Sequence, residues 1–170
     1  MQIRLFIVTL LAVCVLCGCG GPKRPAGMPT LYPCEITITQ AGQLLGDADV
    51  RLIAEDGFST WITGGRTDSN GVAKIMTNVK YAGAPAGTFK VLVQKTDLAP
   101  SKLPPYPGDD APFEARAEWT SQMKGEVRPT IQFVKPEYGD VSTTPHSITI
   151  VKGKNKATFD AGEPIKEIMK

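Results

Sequence analysis

The side chains able to do chemistry are few and stand apart. Nucleophilic catalysis needs a nucleophile, a base and an orienting group. The single histidine, His146, follows Pro145 at the start of a strand pattern, where a solvated surface imidazole is expected. Asp68 and Asn70 before Gly71 resemble the start of a calcium loop. The acid that should precede them and the bidentate Glu that should follow are not at the required spacing, so a tight turn is expected there. Asp109 and Asp110, with Glu114 nearby, form the densest acidic group. They are the best place for a weak cation site, although a solvated loop is the expected state, because three carboxylates must lose conformational freedom to converge. Zinc spacing is absent, since Cys34 and His146 stand alone. No Lys-Ser/Thr follows Gly64-Gly65 on a helix, so this is not a phosphate loop. No catalytic residue, metal or cofactor is expected, and the chain does not read as an enzyme.

Two chemistries remain. The first is binding through aromatic rings. Trp61, Tyr81, Tyr106, Trp119 and Tyr138 could supply a platform for sugar or protein, and Trp61, Trp119 and Tyr106, with Asp109 and Asp110, are the candidate binding residues. One Trp of a sandwich commonly belongs to the core. Trp61 alternates with Ile62, so one of the two should face outward. The second is a modifiable thiol. Met1-Gln2-Ile3-Arg4 carries one positive charge, residues 5–16 are almost wholly apolar, and Cys17-Gly18-Cys19-Gly20-Gly21 follows. This is the layout of a secretory signal, and it is too short for a transmembrane helix. Leu16-Cys17-Gly18-Cys19 resembles the lipobox of bacterial lipoproteins. That resemblance implies lipidation at Cys19: a thioether to diacylglyceryl, and an acyl group such as palmitate on the new N-terminus. Each buried CH₂ contributes about 0.8 kcal/mol, so one chain binds marginally and two or three hold durably. Gly20, where an Asp would favour inner-membrane retention in enteric bacteria, points to the outer membrane.

Charge and cysteines narrow the classes further. The 170-residue chain has 19 Lys+Arg and 17 Asp+Glu. Loss of residues 1–18 removes only Arg4 and leaves 18 basic residues. Such balance excludes an electrostatic nucleic-acid binder, which concentrates basic charge on one face. Cys14 and Cys17 leave with the signal and Cys19 goes to lipid. Cys34 then has no partner for an internal disulfide and is expected as a small buried hydrophobe.

The elements that would position these residues follow from pattern and punctuation. Residues 1–18 read as signal peptide. Residues 19–33, with Pro22, Pro25, Pro29 and Pro33, read as a semi-rigid tether. Residues 34–162 read as one domain. Alternating strands are predicted at 34–39, 48–53, 59–63, 72–76, 88–93, 147–151 and 156–159. Turns are predicted at 40–43, 55–57, 64–65, 68–71 and 152–155. An insertion at 98–126 opens with a Pro- and Gly-rich loop to Pro112. A helix is predicted from Pro112 to Lys124, with Phe113, Ala117 and Trp119 on it and Gly125 ending it. Residues 127–134 are ambiguous because of Pro129. Residues 163–170 read as a polar C-terminal tail. The fold class is all-β, an antiparallel sandwich.

The order of these motifs resembles a known group. Glu35-Ile-Thr-Ile-Thr followed by Gly42-Gln-Leu-Leu-Gly-Asp-Ala-Asp-Val50 is similar to the opening of carboxypeptidase regulatory-like domains. Thr67-Asp-Ser-Asn-Gly71 matches their hairpin, and Pro85-Ala-Gly-Thr-Phe-Lys-Val91 their following strand. Leu45 departs from their usual Pro–Leu arrangement. Small lipoproteins of planctomycete-type bacteria resemble the chain more widely, in Gly18-Cys19-Gly20-Gly21 and in Lys135-Pro-Glu-Tyr138 through Thr149. The resemblance implies a seven-stranded transthyretin-like (prealbumin-like) sandwich with no known activity. Transthyretin-like hydrolases need several His and a C-terminal Tyr-Arg-Gly-Ser, which this sequence lacks. The expected role is that of a lipid-anchored envelope domain, facing the periplasm or cell surface. It would be structural or adhesive and bind an envelope protein or glycan. The alternative is a carbohydrate- or cation-binding accessory module.

Overall fold

The computed structural model describes residues 23–55 and 60–169. The signal segment with Cys14, Cys17 and Cys19 lies outside the described residues, as do positions 56–59 of the expected turn and strand.

Strict alternation makes β2 (Cys34–Gln40): Cys34, Ile36, Ile38 and Gln40 are buried and the residues between them are half-exposed. Its inner face meets β4 (Asp49–Ala54) and β10 (Gly87–Gln94), which turn Val50, Leu52, Phe89, Val91 and Val93 inward. Full burial of each such side chain contributes about 1.5–3 kcal/mol. β10 is central, paired antiparallel with β4 on one side and β13 (Ser147–Ile150) on the other. Beyond β4 the sheet continues through β5 (Thr63–Arg66), β7 (Met76–Thr77) and β8 (Tyr81–Ala82). The opposing sheet is built on β2, flanked by β14 (Asn155–Asp160), β3 (Gln43–Leu44) and β6 (Val72–Lys74). The protein is therefore an all-β, sandwich-like domain with mostly antiparallel pairing. Its strands are broken into more segments than the sequence pattern suggests. The run at 72–76, for example, splits at buried Ile75, so that β6 joins β2 while β7 joins β5.

Turn chemistry fixes the corners. Asp68 accepts from the backbone N–H groups of Asn70 at 2.9 Å and Val72 at 3.0 Å. These bonds hold its carboxyl below the usual carboxylate range, with the Val72 bond the larger cause. Gly71 sits at φ 68°, as the Asp-Ser-Asn-Gly reading requires. Among the described residues of the sandwich, buried polar side chains are paired. Thr67 Oγ1 accepts from Ala48 N at 2.8 Å and donates to the Leu45 carbonyl at 2.7 Å. Asn155 accepts from Val151 N and donates to the carbonyls of Pro33, Val151 and Gly153.

Five local expectations change. The fold starts before Cys34, because Leu31 is buried and β1 (Leu31–Tyr32) pairs with β9 (Ala84–Pro85). Lys23 also touches the sandwich, its carbonyl accepting from the buried Tyr81 hydroxyl at 3.0 Å. Gly64 and Gly65 lie inside β5 instead of ending a strand. A Cβ on Gly64 would stand 2.4 Å from the Val50 carbonyl oxygen, and one on Gly65 2.6 Å from that of Lys74. β14 joins β2 in parallel, Asn155 opposite Cys34 and Asp160 opposite Thr39. His146 is not a freely solvated surface residue: its ring lies 5.4 Å from Tyr138 and 4.9 Å from Phe159, and Nε2 is 2.9 Å from the Asp160 carbonyl oxygen. The C-terminal segment is bound down. Ile165 N and Met169 N donate to the carbonyls of Phe133 and Thr130, and β15 (Glu167–Ile168) pairs with β12 (Thr130–Gln132).

Candidate functional site

The insertion leaves and re-enters the fold at one small sheet. β11 (Thr96–Leu98) pairs antiparallel with β12, Leu98 opposite Thr130, and residues 99–129 form an arm between them. Pro129 precedes β12, so that strand starts where the missing N–H does no harm. Within the arm α1 (Phe113–Gly125) matches the predicted helix to within a residue at each end. Pro112 enters it, Glu114 lies in the first turn and Lys124 in the last. Both charges suit the helix dipole. Among the described residues, α1 contributes no fully buried residue and none to the core. A helix of this length is marginal alone in water, so other contacts must hold it.

Two sets of contacts do. At the root, Ser101 Oγ donates to Glu126, 2.8 Å from Oε2, and Lys102 N donates to Oε1 at 2.7 Å. Arg128 Nε stands 3.9 Å from the same carboxylate. The Lys102 amide, then the Ser101 hydroxyl, hold the Glu126 carboxyl below the usual carboxylate range. Further out, Trp119 Nε1 donates to the Pro104 carbonyl at 2.9 Å. The Trp119 ring meets Tyr106 edge to face at 5.1 Å, a preferred aromatic arrangement. The Tyr106 hydroxyl donates to Asp109 Oδ1 at 3.0 Å.

Four of the five residues expected to bind lie on the arm, and three of them, Tyr106, Trp119 and Asp109, are joined by these contacts. Trp119 is half-buried and backs Tyr106, which is 45% exposed. Asp110 lies next to Asp109 and is exposed. Trp61 is elsewhere. It is half-buried just before β5, while its neighbour Ile62 is exposed. Ile62 and Val79 border a shallow depression of about 440 Å³ beside Gly64 and Gly65. Among the described residues no group of three His, Cys, Asp or Glu side chains converges as a metal site would require. Cys19 lies outside the described residues.

The arm has a hollow on each flank. At its root a hollow of about 630 Å³ is bordered by Ala99, Leu103, Val127, Pro129 and Ile168. Along the helix a second, of about 670 Å³, is lined by Tyr106, Phe113, Arg116, Thr120, Ser121 and Lys124. Phe113 is 72% exposed. The sequence reading did not single out Arg116 or Lys124. Their signal is visible in retrospect, since 113, 116, 120 and 124 recur at three- and four-residue steps and share one helix face.

The fold and the site define an all-β sandwich that carries an exposed helical arm. Neither the protein-family models nor the curated proteins nor the solved structures contain a match to this chain.

Proposed function

We propose that this is a non-catalytic envelope protein: a β-sandwich, lipid-anchored at Cys19, whose arm binds an envelope glycan or protein. The observation that carries the reading is the arm itself. Its helix contributes nothing to the core, yet a carboxylate clamp and an aromatic pair hold it in one shape. Ordering a surface segment costs conformational entropy. A segment ordered without serving the core is best explained by what it presents. Exposed Tyr106 and Phe113 favour a saccharide or protein surface over a cation, since aromatic rings offer broad contact area at low entropic cost. The motif order shared with carboxypeptidase regulatory-like domains and planctomycete-type lipoproteins supports the non-enzymatic part. The Leu16 to Cys19 motif supports the anchor, and Gly20 after the Cys supports an outer-membrane location facing the periplasm or cell surface.

Two experiments test this. Cys19→Ser should release the protein from the membrane fraction and remove the acyl mass; a variant that stays membrane-bound would refute the anchor. For the arm, residues 104–124 are replaced by a short Gly/Ser link in the full chain, and complexes extracted in mild detergent are compared. Wild type should run in a larger particle or with bound glycan, and the armless chain alone with an unchanged unfolding midpoint. An identical particle from both chains would refute the binding arm.

A further inference from the structure

We infer that the hollow along the arm helix is a site for an acidic saccharide, a pyranose ring bearing a carboxylate. This deepens the binding-arm reading and rests on it. Arg116 and Lys124 line the hollow on one side, eight residues apart on the same face of α1. Among the described residues neither makes an ion pair; the three pairs that occur are Arg66–Asp47, Arg128–Glu126 and Lys156–Glu35. Arg116 is further distinguished. Its Nε is buried and lacks any hydrogen-bond partner, the one such side-chain nitrogen or oxygen among the described residues. An unpartnered buried donor is costly, more so where charge is involved. Native folds rarely leave one without reason.

The rest of the lining fits a sugar acid. Guanidinium presents a planar fork of donors that matches a carboxylate, and ammonium adds a point charge. Thr120 and Ser121 offer hydroxyls between the two cations. The Thr120 hydroxyl already donates to the Arg116 carbonyl at 2.8 Å, which leaves its oxygen available only as an acceptor. Tyr106 and Phe113 are exposed and line the same hollow, and an aromatic ring suits the apolar C–H face of a pyranose. Asp109 is tied to the Tyr106 hydroxyl and is not part of the lining. The volume, about 670 Å³, lies within the range of small-ligand sites. An isolated phosphate would use the cations and leave the rings idle. A neutral sugar would use the rings and leave the two cations without a counter-charge.

The test is an NMR titration of the full chain in non-ionic detergent with tetragalacturonate, and in parallel with neutral maltotetraose. Tetragalacturonate should shift amides of residues 106 and 113–124 and bind at least about tenfold tighter than maltotetraose. Added salt should weaken it. Arg116→Gln should weaken binding at least about tenfold with an unchanged unfolding midpoint, because the arm buries no core. Arg66→Gln, on the sandwich, should leave binding unchanged. Equal binding of both saccharides, abolished by Tyr106→Ala, would overturn the acidic preference while leaving a saccharide-binding arm. No arm shifts with either saccharide would overturn the site itself. The binding-arm reading would then be judged separately, by the particle comparison with the armless chain.

Discussion

Position 71 has no room for a side chain. Gly71 sits at φ 68°, and a Cβ there would stand 2.7 Å from the Ile38 carbonyl oxygen and 3.1 Å from Leu45 N. Both penalties act together, one from backbone strain and one from backbone contact across the sheet. Gly71→Val should therefore lower stability by at least about 1 kcal/mol, read as the shift in denaturation midpoint. An unchanged midpoint would contradict the corner described at Asp68 to Gly71. Cys34 makes a second residue-scale case. It is buried at the start of β2. Burial, with the neighbouring Glu35 charge as a lesser cause, pushes its thiol from about 9 up to about 11. The folded chain keeps the proton that the unfolded chain releases, so stability should fall as pH rises across that window. At pH 8 a thiol reagent should label Cys34 only after denaturation. Fast labelling of the folded protein would show that the thiol is exposed.

At the scale of elements, the arm and the sandwich should behave as separate units. Trp119 holds the arm through Pro104 and Tyr106, and none of these residues belongs to the core. Trp119→Ala should strip amide protection from 113–125 and reduce helical circular dichroism. The sandwich should unfold with its stability changed by less than about 0.5 kcal/mol. A parallel fall in sandwich stability would show that the arm is part of the fold. The elements also differ in how far sequence discloses them. β2 was legible because its alternation is unbroken, and α1 because Pro112 and Gly125 bracket it. β5 was not. Gly64-Gly65 reads locally as a stop, and the need for glycine comes from the backbone of β4 and β6, distant in sequence. The parallel pairing of β14 with β2 was equally hidden, since alternation is the same in either direction. Within the site, the aromatic and acidic residues of the loop were recognised by type. That Arg116 and Lys124 make no ion pair among the described residues is tertiary information. It could not be read from the chain, although their spacing could.

The described residues form three parts: a Pro-rich lead-in whose Lys23 and Leu31 already touch the sandwich, the sandwich, and the arm. Among the described residues of the sandwich body, His146 is paired and the buried polar side chains are satisfied. The arm carries exposed rings, a hollow and, among the described residues, two cations without ion pairs. The central claim is that this arm is where the protein meets its partner. The most direct measurement is photo-crosslinking in intact envelopes, with a photo-reactive phenylalanine placed at Phe113 on the arm or, for comparison, at Ile62 on the sandwich, both exposed. The account predicts a discrete adduct from position 113, absent from position 62 and lost on Tyr106→Ala. Adducts from position 62 alone, or equal adducts from both, would contradict it.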